Sequence, residues 1–174
     1  NDYELEHFLR RVRDRRPRLV VEIGTARGGM LYCLSQLAAR DATLISIDLP
    51  GAANCDGQTA TEREVFATFG PPTQRFHFIP ADSHLESTRD RLMAILDGRS
   101  IDLLFIDGDH SRDGCLQDFE MYSGFVNPDG LIAFHDICLF PERWGPDAGV
   151  GLAWREIKAR YGGEEIIDPD GVST

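Results

Sequence analysis

Five short apolar runs punctuate the chain, and between them the apolar residues change period. Arg18 to Ile23, Thr43 to Ile47, Phe76 to Ile79, Ile101 to Ile106 and Leu131 to Phe134 are nearly continuous in apolar, often β-branched residues. Runs of that length without alternation suit strands covered on both faces, as in a parallel sheet. Between the runs the spacing becomes helical. Leu5, Phe8, Leu9 and Val12 stripe a helix over Asp2 to Arg15, which Pro17 ends. Met30, Leu31, Leu34 and Leu37 stripe a second, from Met30 to Ala39. A short helix is expected near Thr61 to Phe69, and one from Ser87 to Leu96 offers Leu92, Met93, Ile95 and Leu96 to the core. Cys115, Leu116, Phe119 and Tyr122 mark the next helix. Val150, Ala153, Trp154 and Ile157 mark the last, which Gly162-Gly163 stops. Asn127-Pro128-Asp129-Gly130 is a strong turn signal before the fifth run, and Glu165 to Ile167 read as the start of a sixth strand. Strands alternating with helices predict an α/β domain with a mainly parallel sheet and right-handed crossovers. One domain over residues 1–174, truncated at one or both ends, is the expected organisation.

The turn between the first strand and the second helix is glycine-rich: Gly24-Thr25-Ala26-Arg27-Gly28-Gly29. A buried strand feeding a helix through glycines lets a ligand approach the backbone and presents helix N–H groups to it. Each of the five strands also ends at or near an acid: Glu22, Asp48, Asp82, Asp107 and Asp136. A single Asp there is explained by turn or cap chemistry. Five at the carboxyl edge, where open α/β sheets bind ligands, are hard to explain by capping alone. Asp48, about two dozen residues past Gly24, is placed to accept from the two hydroxyls of a ribose. Asp82 with Ser83 either reads the exocyclic amine of an adenine or caps the following helix. Glu22 suits a cationic group and repels a pyrophosphate. The spacing Gly24-x-x-x-Gly28-Gly29 is not the dinucleotide G-x-G-x-x-G, and no phosphate-binding G-x-x-x-x-G-K-[ST] is present. A nucleoside carrying an amino acid and a sulfonium charge fits such a rim better.

Composition narrows the partners. A formal net charge of −11 and a pI near 4.8 disfavour tracking a nucleic-acid backbone and suit a small neutral or cationic ligand. No run reaches the length of a membrane span and no signal-peptide pattern is visible. Cys33, Cys55, Cys115 and Cys138 are scattered without zinc spacing, which suits a reducing, cytoplasmic home. The expected partner is a small-molecule acceptor, with no nucleic acid and no membrane, and homo-oligomerisation is left open.

Five stretches in order resemble class I S-adenosylmethionine-dependent methyltransferases across nearly the whole chain. They are Val21-Glu22-Ile23-Gly24-Thr25 with Gly28-Gly29, Ile47-Asp48-Leu49-Pro50-Gly51, Ala81-Asp82-Ser83-His84, Phe105-Ile106-Asp107-Gly108-Asp109-His110-Ser111, and Ile132-Ala133-Phe134-His135-Asp136. More narrowly they resemble the small bacterial group related to cephalosporin-hydroxylase-type and sugar or catechol O-methyltransferases. The resemblance implies a Rossmann-like, doubly wound sheet in the order 3-2-1-4-5-7-6, with strand 7 antiparallel. It implies S-adenosylmethionine bound by Glu22, Gly24, Thr25, Gly28, Asp48, Asp82 and Ser83. It also implies a divalent metal on Asp107 and the pair His135-Asp136, where His replaces the acid of metal-dependent relatives. That imidazole shifts the expected ion from Mg toward Mn, Fe or Zn.

O-methylation of a small-molecule hydroxyl, metal-assisted, is the activity this reading favours. A catalytically idle S-adenosylmethionine-binding module in a larger assembly is the alternative. His110 is the candidate base beside Asp107, since an imidazole titrates in the useful range. Its other reading is a brace bonded to a neighbouring carboxylate. His135 is a ligand, a base or a support for either, and His84 reads as structural. Trp144, in the loop from Cys138 to Gly149, either stacks on an aromatic acceptor or packs that loop.

Overall fold

A computed structural model describes residues 2–50, 59–145 and 148–169. The elements run α1 (Asp2–Arg15), β1 (Leu19–Ile23), α2 (Gly29–Leu37), β2 (Thr43–Asp48), α3 (Ala60–Phe66) and β3 (Arg75–Pro80). There follow α4 (Glu86–Leu96), β4 (Ile101–Ile106), α5 (Arg112–Tyr122), β5 (Val126–Phe134), α6 (Pro141–Trp144) and α7 (Val150–Tyr161). The strands form one all-parallel sheet in the order β3-β2-β1-β4-β5. The expected doubly wound arrangement is therefore present through its fifth strand. No helix among the described residues is long and apolar enough to cross a membrane.

Period-two alternation within the apolar strands explains why both faces are covered. Leu19, Val21, Ile23, Ile45, Ile47, Leu104 and Ile106 face one layer, where Leu92 and Leu96 of α4 and Tyr122 of α5 pack. Val20, Leu44, Leu103 and Phe105 face the other, against Val12 of α1, Leu31 and Leu34 of α2, and Phe66 of α3. Burying each such Leu or Ile contributes about 1.5–3 kcal/mol, so the strands hold the helices against ordering entropy. Cys115 joins Val150 and Ala153 where α7 meets α5.

Four expectations need correction. Met93 is exposed on α4, whose inward face carries Thr88, Leu92 and Leu96 with Ile95 packed beside them. β5 begins at Val126, before the Asn127–Gly130 turn signal, and its pairing with β4 shifts register between Ile101 and Leu103. The turn chemistry survives inside that bulge, where Asn127 Oδ1 accepts from the Asp129 N–H at 2.9 Å. The proline-containing loop holds a four-residue helix, α6, started by Pro141. No sixth strand forms at Glu165–Ile167 among the described residues. That segment is held by side chains instead: Trp154 Nε1 donates to Glu165 at 2.7 Å, and Arg11 pairs with Glu164. β5 thus remains the sheet's edge, flanked by a cavity of about 720 Å³ between α1 and α7 whose inner end reaches His135 and Asp136. Residues 51–58, Cys55 among them, lie outside the described residues.

Candidate active site

Parallel hydrogen bonding continues one step past the strands and sets their tips side by side. Ala81 N–H donates to Asp48 O (3.0 Å), Gly24 N–H to Ile47 O (2.9 Å), Asp107 N–H to Ile23 O (2.8 Å) and His135 N–H to Ile106 O (3.1 Å). Neighbouring parallel strands lie ~4.8 Å apart, so this ladder lines up the loops carrying Asp82, Asp48, Gly24, Asp107 and Asp136. Residues scattered over more than a hundred positions of sequence thereby share one crevice.

The glycine turn is fixed by close approach. Gly24 has φ +84°, and a Cβ there would collide with the Asp107 carbonyl, so only glycine lets β1 and β4 meet at this level. Gly28, at φ +78°, caps α2, and a Cβ would lie 2.8 Å from the Phe66 ring. Ala26 N–H donates to Asp48 Oδ2 at 2.6 Å, so Asp48 braces the turn. A carboxylate offers about four lone-pair sites, so this bond is compatible with further acceptance.

Glu22 lies beneath the turn, on the α2 side of β1, and is wholly buried. It is thus the floor of the crevice and not part of an exposed rim. Thr25 Oγ1 donates to Glu22 Oε2 at 2.6 Å and lies 2.8 Å from Ser46 Oγ, while Glu22 Oε1 has no hydrogen-bond partner among the described residues. Burial pushes the Glu22 carboxyl up to about 8, against the opposing bond from Thr25 and with the Asp107 and Asp48 charges adding to the rise. A buried acid at the base of a crevice with one oxygen unpaired can complement a cationic ligand group.

On the β3 side, Asp82 Oδ1 accepts from the His84 N–H at 2.8 Å and Thr88 Oγ1 donates to the Asp82 carbonyl at 2.6 Å. Asp82 therefore shapes its own loop while its side chain stays 44% exposed.

Across the crevice the carboxylates meet imidazoles. His110 Nε2 lies 3.3 Å from Asp107 Oδ1 and its Nδ1 lies 3.7 Å from Asp136 Oδ2. His135 Nδ1 lies 3.3 Å from Asp107 Oδ1 and 3.0 Å from Asp136 Oδ1. Asp107 is held below the usual range by hydrogen bonds and charge from both histidines, which outweigh its burial. The bond to Asp107 raises His110, and bonds to Asp107 and Asp136 raise His135 to about 10. Asp136 sits at φ +56°, a left-handed conformation that Asp tolerates but rarely needs. Asp107, His110 and Asp136 each offer a ligand atom within 4.8 Å of the others, a donor set that fits a divalent cation.

Sequence reasoning missed Ser46, the second hydroxyl beside Thr25, and Asp118, a buried acid on α5. Asp118 had a usable signal: it falls three residues after Cys115 and four before Tyr122, on the helix's buried face. Trp144 is half-exposed on the wall of the β5-edge cavity, with the Arg143 guanidinium 4.9 Å from its ring.

Comparison with known proteins agrees with this fold. An uncharacterised protein of Acanthamoeba polyphaga mimivirus is 32% identical over 126 residues, 72% of this chain. The chain spans about half, 53%, of that protein's length. Among solved structures, the O-methyltransferase TomG from Streptomyces achromogenes, in complex with S-adenosylmethionine, superposes with a TM-score of 0.59. It shares 19% identity over 94% of this chain and 69% of TomG. An O-methyltransferase from Bacillus cereus bound to S-adenosylhomocysteine gives 0.63 at 13% identity, over 88% of this chain and 68% of its own. The mycinamycin-pathway methyltransferase MycE, in complex with Mg and S-adenosylhomocysteine, gives 0.63 at 20% identity, over 95% and 42% respectively. At these identities the likeness is one of fold. Residues 21–137, from the buried strand before the glycine turn to just past Asp136, match the family model for a methyltransferase domain, and the chain belongs to that family.

Proposed function

We propose that this domain transfers a methyl group from S-adenosylmethionine to a hydroxyl of a small molecule, with a divalent cation held by Asp107 and Asp136. The observation that carries the reading is the meeting, in one crevice, of the Glu22 carboxyl beneath the glycine turn, with its unpaired Oε1, and the Asp107–Asp136 pair, each within 3.7 Å of a ring nitrogen of both His110 and His135. Support also comes from the fold-mates that bind S-adenosylmethionine or S-adenosylhomocysteine, one of them together with Mg.

When bound, S-adenosylmethionine supplies an electrophilic methyl on a sulfonium, and a divalent cation lowers the pKa of an acceptor hydroxyl. The protein's task is alignment and proton removal. Glu22, Gly24, Thr25, Gly28 and Asp48 hold the amino-acid and ribose portions, and Asp82 with Ser83 meets the base. Asp107 and Asp136 orient the acceptor oxygen, with His135 as a further nitrogen donor. His110 takes the acceptor proton as the carbon–sulfur bond breaks and the carbon–oxygen bond forms, leaving S-adenosylhomocysteine and a methyl ether. With a cation on the carboxylates, their pull on His110 would weaken and its pKa would fall, leaving more of the imidazole unprotonated and free to act as the base near neutral pH.

An acceptor screen that reads S-adenosylhomocysteine release, run with Mg or Mn and with a chelator, tests this. Turnover that chelation abolishes supports it. Turnover unaffected by chelation refutes the metal. Binding of S-adenosylmethionine with no release across broad hydroxyl libraries favours an idle binding module.

A further inference from the structure

A second buried acid lies outside the donor set. Asp118 projects from the buried face of α5 and has no exposed surface. Among the described residues, neither of its carboxylate oxygens has a hydrogen-bond partner of good geometry. The nearest imidazole is that of His84, whose Nε2 lies 3.4 Å from Asp118 Oδ1 and 3.2 Å from the Gly114 carbonyl. Ser83 draws the Asp118 pKa down, against the rise that burial causes. On the other side Asp118 backs the β4–α5 loop, since a Cβ at Gly108 would lie 3.3 Å from Asp118 Oδ2.

The segment Asp82-Ser83-His84 is stapled to the same helix elsewhere. The Tyr122 hydroxyl donates to the Ser83 carbonyl, and Gln117 Nε2 donates to the His84 carbonyl at 3.4 Å. Backbone tethers like these fix where the loop sits. They do not fix the His84 ring or the Ser83 hydroxyl, and Asp118 is the acid beneath both. Replacing such a carboxylate by an apolar group of similar size is often neutral or stabilising, so packing alone gives no reason for an acid here.

We propose that Asp118 is a positioning residue for the nucleoside: through His84 and Ser83 it sets the β3–α4 loop so that Asp82 and Ser83 meet the base. The inference rests on the reading that this crevice holds an S-adenosyl group. Asp118 touches no ligand itself, being enclosed by the loop it supports.

Its ionisation gives the device a pH signature. The groups facing it are Asp82 and His84 from the β3–α4 loop, Asp109 from the β4–α5 loop, and Cys115 and Tyr122 on its own helix, with Arg89 of α4 beside Tyr122. Burial pushes Asp118 up to about 6, against the pulls of Ser83 and His84. Below that pH it is neutral and loses its hold on the imidazole; above it, the carboxylate engages His84.

Calorimetric titration of S-adenosylhomocysteine into wild type, Asp118→Asn, His84→Gln and the double variant, between pH 5 and pH 7.5, tests this, with thermal unfolding as the folding control. Each single variant is expected to bind about 10-fold more weakly at pH 7.5, and the double variant no more weakly than either. Wild-type affinity should rise with pH more steeply than that of Asp118→Asn. Discrimination against the inosine analogue of the ligand should shrink in both single variants. His84→Gln, at a less buried position, keeps the test open if Asp118→Asn does not fold. Wild-type binding with variants within about twofold at every pH, or single losses that simply multiply, would overturn the inference alone. A wild type that binds no S-adenosylhomocysteine overturns the functional reading together with it.

Discussion

The two sides of the crevice use the same residue type in opposite ways. On the β1–β3 side the acids are engaged by the protein's own donors: Glu22 by Thr25, Asp48 by the Ala26 N–H, Asp82 by the His84 N–H. These bonds hold the loops on that side in shape. On the β4–β5 side Asp107 and Asp136 meet the side chains of His110 and His135, which titrate near neutrality when unperturbed. Groups that can exchange protons or take a cation are gathered there, and braced loops on the other side. The lesson is that a row of acids at one sheet edge is not one environment but two, divided at the contact between Gly24 and Asp107.

Substitution at that dividing line should do the most damage. Gly24→Ala places a Cβ against the Asp107 carbonyl at a left-handed φ, and a loss of about 4 kcal/mol or more in denaturant unfolding is expected. Asp107→Asn should separate the two sides. We expect turnover to fall about a thousandfold while S-adenosylhomocysteine affinity stays within about threefold. A parallel loss of affinity would mean that the sides are not independent. His110→Gln should lower turnover about a hundredfold. Retained Mn binding, read by electron paramagnetic resonance, identifies His110 as the base, whereas lost binding makes it a ligand.

The smallest effect concerns Glu22, and its sign is fixed by linkage. Its carboxyl is raised in the folded state to about 8 from an ordinary 4.5. Its stabilising contribution is therefore present below pH 4.5 and is lost as pH climbs toward and through 8. Between pH 5 and pH 7 the ligand-free protein should lose about 2 kcal/mol from this group, and Glu22→Gln should abolish that slope in thermal unfolding. A wild-type slope that persists in the variant would place the titrating group elsewhere.

Much of this was legible in the sequence because strand ends and glycines are local signals. The five apolar runs gave the strands, and the acids after them gave the edge of the sheet that carries the site. Glu22 was visible as an acid, but its depth was not, since a charged residue in a five-residue apolar run reads equally as a rim or a floor. Partnership was hidden too: that Asp48 bonds Ala26, and Asp118 approaches His84, depends on contacts across 22 and 34 positions. The register shift in β5 was masked because Asn127–Gly130 has turn chemistry whether it ends a strand or bulges within one.

The division of the crevice is tested most directly by titrating both S-adenosylhomocysteine and Mn into wild type, Asp48→Asn and Asp136→Asn. Asp48→Asn should weaken the nucleoside about 10-fold and leave Mn binding unchanged. Asp136→Asn should weaken Mn at least about 10-fold and leave the nucleoside within about threefold. Losses of both ligands together in either variant, or Mn binding that does not depend on Asp136, would contradict the account.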